Sequence, residues 1–93
     1  MVDVTDSDFR QLLRILTRRT QMWTEMRIDT RIIHADDAYL DLILDFKPNE
    51  HPIVCQLGGY NPASLARAAK VCEERGFDEI NLNCGCPSKY SGL

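Results

Sequence analysis

The chain has 93 residues, of which 44% are hydrophobic and 27% charged, as is typical of a folded globular domain. Its formal net charge of −3 argues mildly against RNA as a partner of this segment, because affinity for phosphate comes mainly from Lys and Arg. No apolar run approaches the roughly 20 residues that span a membrane, and the first residues do not resemble a signal peptide. These features predict no membrane association and a cytoplasmic location, with an organellar location left open for a longer form.

Hydrophobic periodicity predicts a first helix near the start of the chain. Thr5 is its predicted N-cap, and the helix is expected to run to about Arg19. Its apolar face would consist of Phe9, Leu12, Leu13 and Leu16. Arg10, Arg14 and Arg18 lie on another side, and the basic cluster of Arg14, Arg18 and Arg19 is interpreted as a solvated face rather than an RNA contact.

The rest of the chain predicts strands at residues 21–26, 52–57 and 77–83, with helices at 31–44 and 62–75 between them. Asn61 is the predicted N-cap of the last helix, and Gly76 stands at the position that ends it. Alternation of strands and helices with short connections predicts an α/β fold with a parallel sheet. The chain begins with a helix that has no preceding strand and stops after a strand, so we expect a piece of a larger domain.

Polar side chains interrupt the apolar strands near their ends. Glu25, Gln56 and Asn83 occupy such positions on the three successive strands. Because the C-terminal ends of parallel strands form the active-site mouth, we expect these three side chains to converge on a ligand cleft. Each alone has a simpler explanation, such as a solvated charge for Glu25 or a satisfied core amide for Gln56. The neighbouring Gly58, Gly59 and Gly85 would let backbone approach a flat cofactor, although Gly58 and Gly59 also suit a plain turn.

Four cysteines are present, and in a reducing compartment they are expected to be thiols rather than disulfides. Cys86 lies in a Gly-Cys-Pro-Ser turn after the third strand, where a thiol of ordinary pKa, about 8.5, holds a proton that it can donate as a general acid. Cys55, Cys72 and Cys84 are interpreted as packing residues. Cys84 and Cys86 form one Cys-x-Cys pair, but no second pair follows and both histidines are distant in sequence, so no metal site is predicted.

Four segments, in order, resemble successive motifs of the tRNA-dihydrouridine synthases. They are residues 1–6 (Met-Val-Asp-Val-Thr-Asp), 24–26 (Thr-Glu-Met), 56–59 (Gln-Leu-Gly-Gly) and 81–88 (Asn-Leu-Asn-Cys-Gly-Cys-Pro-Ser). The closest likeness is to the branch that acts on D-loop uridines 20 and 20a. The resemblance implies an FMN-binding TIM barrel followed by a helical tRNA-binding domain. It further implies that reduced FMN gives a hydride to uracil, that NADPH reduces the flavin again, and that tRNA is the partner.

By position, the resemblance implies a role for five residues. Cys86 would be the catalytic acid, and Asn83 would contact the target uracil. Gln56 would contact the flavin, Met1 would match a methionine of the flavin loop, and Glu25 would lie at the mouth of the pocket.

The resemblance also leaves parts of the family's pattern unmatched. The first strand of the barrel would precede Met1, and the later half-barrel would follow Leu93, whereas a TIM barrel typically needs about 250 residues. Residues 1–93 are therefore expected to be an incomplete FMN-binding TIM-barrel domain, roughly its first half, and inactive alone. Two alternatives stay open: another FMN barrel of the dihydroorotate dehydrogenase kind, and a non-catalytic truncated product. Gly85 before Cys86 and the 1–6 segment favour the tRNA enzyme.

Overall fold

The structure is a computed structural model that describes residues 5–84. Within them, strands and helices alternate along the chain in a small α/β arrangement, as the sequence predicts, although two consecutive helices stand where one was predicted and the α-helices number four instead of three. No helix in this part of the chain is long and apolar enough to cross a membrane. In chain order the elements are α1 (Ser7–Leu16), β1 (Met22–Ile28), α2 (Asp29–Ile33), α3 (Asp37–Ile43), a 3-10 turn η1 (Pro48–Glu50), β2 (Ile53–Gly58), α4 (Pro62–Glu74) and β3 (Glu79–Leu82).

The three strands form one parallel sheet in the order β1-β2-β3, which confirms the predicted parallel sheet. Strand β2 is central, and its Gln56 stands opposite Met26 of β1 and Asn81 of β3. The β1–β2 register shifts between Trp23 and Met26, a β-bulge that the sequence pattern does not reveal. The Thr24 side chain stabilises the bulge, because its oxygen accepts from the Gln56 N–H at 3.1 Å and its hydroxyl donates to the Glu25 carbonyl at 2.8 Å.

The hydrophobic core lies on one face of this sheet. Strand β2 contributes Ile53, Cys55 and Leu57 to it, and alternation therefore turns Val54 and Gln56 to the opposite face. The helices and the loops next to them cover the core face with Ile32, Leu40, Leu44, Ala68, Cys72 and Phe77. The sheet is thus covered by helices on one side, and Gln56 points to the other side.

The first helix packs in a way that the sequence analysis did not predict. Leu12 and Leu16 are 54% and 75% exposed, so the prediction of an inward apolar face was wrong for these two residues. Arg14 was predicted to be solvated but is only 8% exposed, and Arg10, on the same side of the helix, is 3% exposed. Arg18 and Arg19 are exposed, as predicted. The helix ends at Leu16, and its N-cap is Asp6 rather than Thr5. The Asp6 carboxylate accepts from the Phe9 N–H at 2.9 Å.

A fully buried carboxylate explains why the two arginines turn inward. Glu50 of η1 forms an ion pair with the Arg10 guanidinium, which also donates to the carbonyls of Thr5 at 2.9 Å and Asp45 at 3.1 Å. Arg14 donates to the carbonyls of Glu50 and His51, both at 3.1 Å. The burial of each charge is therefore balanced by an opposite charge or by several acceptors. Polar bonds rather than apolar contacts hold much of α1 to the chain that precedes β2.

The middle of the chain differs from the single helix predicted at residues 31–44. It forms two short helices. The first, α2, ends at Ile33 with His34 as its C-cap, and Asp36 caps α3, its carboxylate accepting from the Tyr39 N–H at 2.8 Å. The limits predicted for α4 are confirmed. Asn61 accepts from the N–H groups of Ala63 and Ser64, and Gly76 has a φ of 94°, which favours glycine after a helix.

The third strand begins at Glu79 rather than at Phe77, because Phe77 packs in the core and Asp78 forms side-chain hydrogen bonds to the start of β2. Phe77 is buried in the core, and the Asp78 carboxylate accepts from the Ile53 N–H at 2.7 Å while bonding His51 Nδ1 at 2.7 Å. The hydrogen bond with His51, aided by the one from Ile53, lowers the pKa of Asp78. Asp78 thereby fastens the start of β3 to the start of β2, at the end of the sheet away from Gly58.

We predict that Glu50→Gln destabilises the chain by about 3 kcal/mol or more, because the Arg10 guanidinium would stay buried without an opposite charge. Urea unfolding at neutral pH measures the change in the free energy of unfolding. The matched control is Glu74→Gln, an exposed position in the last turn of α4, which should change stability by about 0.5 kcal/mol or less. Equal losses for the two variants would contradict a structural role for the Arg10–Glu50 pair.

Candidate functional site

Two of the predicted site residues meet at the C-terminal ends of β2 and β3. The Asn83 side-chain amide donates to the Gln56 side-chain oxygen at 2.8 Å. Both side chains are partly buried and lie on the sheet face opposite the core. The convergence predicted from strand alternation is therefore confirmed for Gln56 and Asn83.

Backbone bonds fix the position of each of these amides. The Asn83 N–H donates to the Leu57 carbonyl at 2.9 Å, which continues the β2–β3 pairing one residue past the end of β3. The Gln56 N–H is held by the Thr24 side chain at the bulge. Among residues 5–84, the only hydrogen bond of the Gln56 side chain is the one that its oxygen accepts from Asn83. Its amide nitrogen thus keeps two N–H donors for a ligand.

Glu25 occupies a different place from the one predicted for it. Strand β1 continues to Ile28, so Glu25 lies in the middle of the strand rather than near its end. It is 8% exposed, and its carboxylate is 3.9 Å from the guanidinium of Arg27, two residues further along β1. Arg27 is paired in register with Leu57, a core residue. The bulge thus interrupts the alternation on which the expected position of Glu25 depended.

The Gln56 face of β1 carries two residues that the sequence analysis missed, and the bulge accounts for the second of them. Trp23 is in register with Val54, and Met26 is in register with Gln56, so both lie on the face opposite the core. Trp23, near the start of β1, is 39% exposed and leaves an aromatic surface on the sheet face that carries Gln56. Uninterrupted alternation would have placed Met26 on the opposite face from Trp23, and no sequence signal marks the bulge.

Gly58 and Gly59 are explained by packing within the chain. A Cβ on Gly58 would lie 2.8 Å from the sulfur of Met26, and one on Gly59 would lie 2.6 Å from the carboxyl carbon of Asp29. Both spaces are already filled by side chains of the segment at the end of β1. The interpretation that these glycines admit a flat cofactor is therefore not needed to account for them, and Gly85 lies outside the described residues.

The cysteines divide into three groups. Cys55 and Cys72 are buried in the core, as predicted. Cys84 was predicted to pack but is exposed, because among the described residues β3 is an edge strand, whose Ile80 and Leu82 are also 39% and 45% exposed. Cys86, like Met1, lies outside the described residues. Within the described chain no group of three or more metal-binding side chains occurs.

Comparison with known proteins identifies relatives over almost the whole chain. The family model described as "Dihydrouridine synthase (Dus)" matches residues 1–92. Proteins named tRNA-dihydrouridine(20/20a) synthase from Salmonella typhimurium, Escherichia coli strain K12 and a Synechocystis species are 51%, 50% and 49% identical over 88 residues, which is 95% of this chain. The aligned region is 25%, 24% and 25% of these relatives. The chain thus spans about a quarter of the length of the curated relatives that it matches.

We predict that the contact between Asn83 and Gln56 couples the two side chains by about 1 kcal/mol, the usual net value of a partly buried hydrogen bond. A double-mutant cycle of Asn83→Ala and Gln56→Ala, measured by urea unfolding, gives this coupling energy. The control cycle pairs Asn83→Ala with Gln11→Ala, since the Gln11 amide bonds Asn49 and lies on another element. Additive effects in the first cycle would show that the two amides do not support each other.

Proposed function

The chain belongs to the dihydrouridine synthase family, and we propose that it carries part of the active site of a flavin-dependent enzyme that reduces uridine to dihydrouridine in the tRNA D-loop. The observation that carries the proposal is the hydrogen-bonded pair of Gln56 and Asn83 at two adjacent strand ends. The relatives are named for positions 20 and 20a, and we propose the same positions here. Because the chain spans about a quarter of these relatives, the activity is proposed for a protein of their length that contains these residues.

We propose that residues 1–93 form part of an FMN-binding TIM barrel. Three features of the described residues support this: the strands are parallel, they pair in sequence order, and the core lies on one face of the sheet. In a barrel, helices cover the outer face of the strands, and the inner face and strand ends form the site. A doubly wound sheet would instead carry helices on both faces.

The donor groups present suit an isoalloxazine ring, whose edge carries carbonyl oxygens and ring nitrogens. Gln56 keeps its amide N–H groups for such acceptors, and Trp23 offers an exposed aromatic surface on the same face. We assign Gln56 to flavin binding and Met1 to the flavin side of the pocket. Glu25, which the bulge holds in the middle of β1, is given no place at the pocket mouth. Bound FMN would supply hydride transfer, with NADPH as the reductant, while the protein contributes orientation and a proton.

Asn83 is assigned to the target uracil. A side-chain amide has a donor and an acceptor, and the pairing edge of uracil presents an N–H between two carbonyl oxygens. The bond to Gln56 fixes the orientation of Asn83, so one pair of amides can position uracil and flavin against each other. The target base must leave the tRNA stack to reach such a site, as enzymes that act on bases require. With a net charge of −3, this segment adds little attraction for tRNA phosphates.

Cys86 is assigned as the general acid. It follows Asn83 by three residues, beyond the last described strand, and a protonated thiol can give its proton to the uracil carbon next to the one that accepts the hydride. The reduction is balanced in this way: the C5–C6 double bond is lost, one carbon gains the hydride and the other gains the thiol proton. Cys84 shares the turn but lies on the strand face of Ile80 and Leu82, so we give it no catalytic role.

A chimera tests this assignment. Residues 1–93 would replace the matching segment of the Salmonella typhimurium relative, and dihydrouridine formed in tRNA that lacks it would be measured by mass spectrometry of the nucleosides. We predict that the chimera is active and that Cys86→Ala slows it by about 10²- to 10⁴-fold, the usual contribution of general acid catalysis. Cys84→Ala, two residues away, should leave the rate close to that of the chimera.

Two results would contradict the proposal. An unchanged rate for Cys86→Ala would refute the acid role. A folded, flavin-containing chimera that leaves tRNA unmodified but oxidises dihydroorotate would favour the other flavin barrel considered from the sequence.

A further inference from the structure

Two thiols with no part in the proposed function face each other inside the core. Cys55 lies in β2 and Cys72 in α4, both are 0% exposed, and their sulfurs are 3.2 Å apart. From this geometry we propose that Cys55 and Cys72 are a dithiol that closes to an intramolecular disulfide when the protein is exposed to a hydroperoxide. The pair lies on the sheet face opposite Gln56, so this inference does not depend on the proposed function.

The geometry requires little movement for the bond to form. A disulfide has a sulfur–sulfur distance of about 2.05 Å, so the two sulfurs must approach by only about 1 Å. They are held together by the packing of α4 on the core face of β2, and each side chain already points at the other. The other thiol of the described residues, Cys84, is exposed and lies beyond β3 rather than in this core.

The surroundings of Cys55 favour it as the attacking group. Its hydrogen bond with Cys72 lowers its pKa against the opposing effect of burial, and the Thr24 hydroxyl and the guanidinium groups of Arg27 and Arg10 act in the same direction. The same hydrogen bond, together with burial, raises the pKa of Cys72. Because the thiolate is the nucleophile, the lower pKa of Cys55 makes it the thiol that attacks the peroxide. Cys72, with the raised pKa, then attacks the oxidised Cys55.

The reaction balances with hydrogen peroxide as the oxidant. The Cys55 sulfur attacks one peroxide oxygen, the O–O bond breaks, and Cys55 sulfenic acid and one water are formed. The Cys72 sulfur then attacks the Cys55 sulfur, the S–O bond breaks, and the hydroxyl leaves as a second water with the Cys72 proton. Two electrons pass from the pair of thiols to one peroxide. Any dithiol reductant reverses the change.

The disulfide would join the central strand to the helix that covers it. It would close the chain between residues 55 and 72, which restricts the unfolded state and therefore raises Tm. Cys55 also directly precedes Gln56, so the crosslink would hold the part of β2 that carries this amide against α4.

The test uses the 93-residue chain with Cys84→Ser and Cys86→Ser, so that Cys55 and Cys72 are its only thiols. After treatment with hydrogen peroxide, we expect a monomer lighter by two hydrogen atoms and a peptide that links Cys55 to Cys72. We also expect Tm to rise by about 10 °C or more and to return when dithiothreitol is added. The buried pair itself is unaltered, so the result does not depend on whether a core substitution folds.

A matched control separates the folded geometry from chance encounters in unfolded chains. It adds Cys72→Ala and Glu73→Cys, which moves the thiol by one residue to the exposed side of α4. In an unfolded chain the loop between residues 55 and 72 and the control loop between residues 55 and 73 would close almost equally fast, because their lengths differ by one residue. We expect at least tenfold slower crosslinking in the control. Equal rates, a crosslinked dimer, or thiols that stay reduced or stop at sulfinic acid would overturn the proposal.

Discussion

The structure depends most on the pairing of β2 with a parallel strand on each side. That pairing places Gln56 between Met26 and Asn81 and brings Asn83, one residue beyond β3, onto the Gln56 amide. The alternation of side chains along β2 also separates its core residues from its site residue. Ile53, Cys55 and Leu57 enter the core on one face, while Gln56 faces away from it. A shift of one residue in this register would bury the amide and expose the core residues, so the register fixes both the fold and the candidate site.

The ion pair of Arg10 and Glu50 shows a second way in which the chain is held together. Leu12 and Leu16 of α1 are largely exposed, and the helix is fastened instead by guanidinium groups that reach Glu50 and the carbonyls around it. Replacing both charges with apolar residues of similar volume need not cost stability, but removing one of them leaves the other buried and unpaired.

Local rules were enough to predict much of the fold. The alternation of elements, the Asn61 cap, the Gly76 terminus and the facing of Gln56 and Asn83 each follow from a pattern a few residues long, and the structure confirms them. The failures depend on distant residues. Arg10 is buried because it pairs with Glu50, which is 40 positions away in sequence. Glu25 is displaced by a bulge in β1, and the bulge arises only when β1 pairs with β2. The sulfur contact between Cys55 and Cys72 likewise exists only once α4 packs on β2. The roles proposed for Cys86 and Met1 come from family resemblance alone, since both lie outside the described residues.

We propose that Gln56 serves the flavin and Asn83 the uracil, although the two amides share a hydrogen bond. The most direct test measures flavin affinity and tRNA turnover separately for Gln56→Ala and Asn83→Ala in the Salmonella typhimurium chimera. We predict that Gln56→Ala weakens flavin binding by about tenfold, the equivalent of one hydrogen bond, whereas Asn83→Ala retains flavin and loses tRNA turnover. Equal flavin affinity in both variants, with equal loss of turnover, would contradict this division of roles.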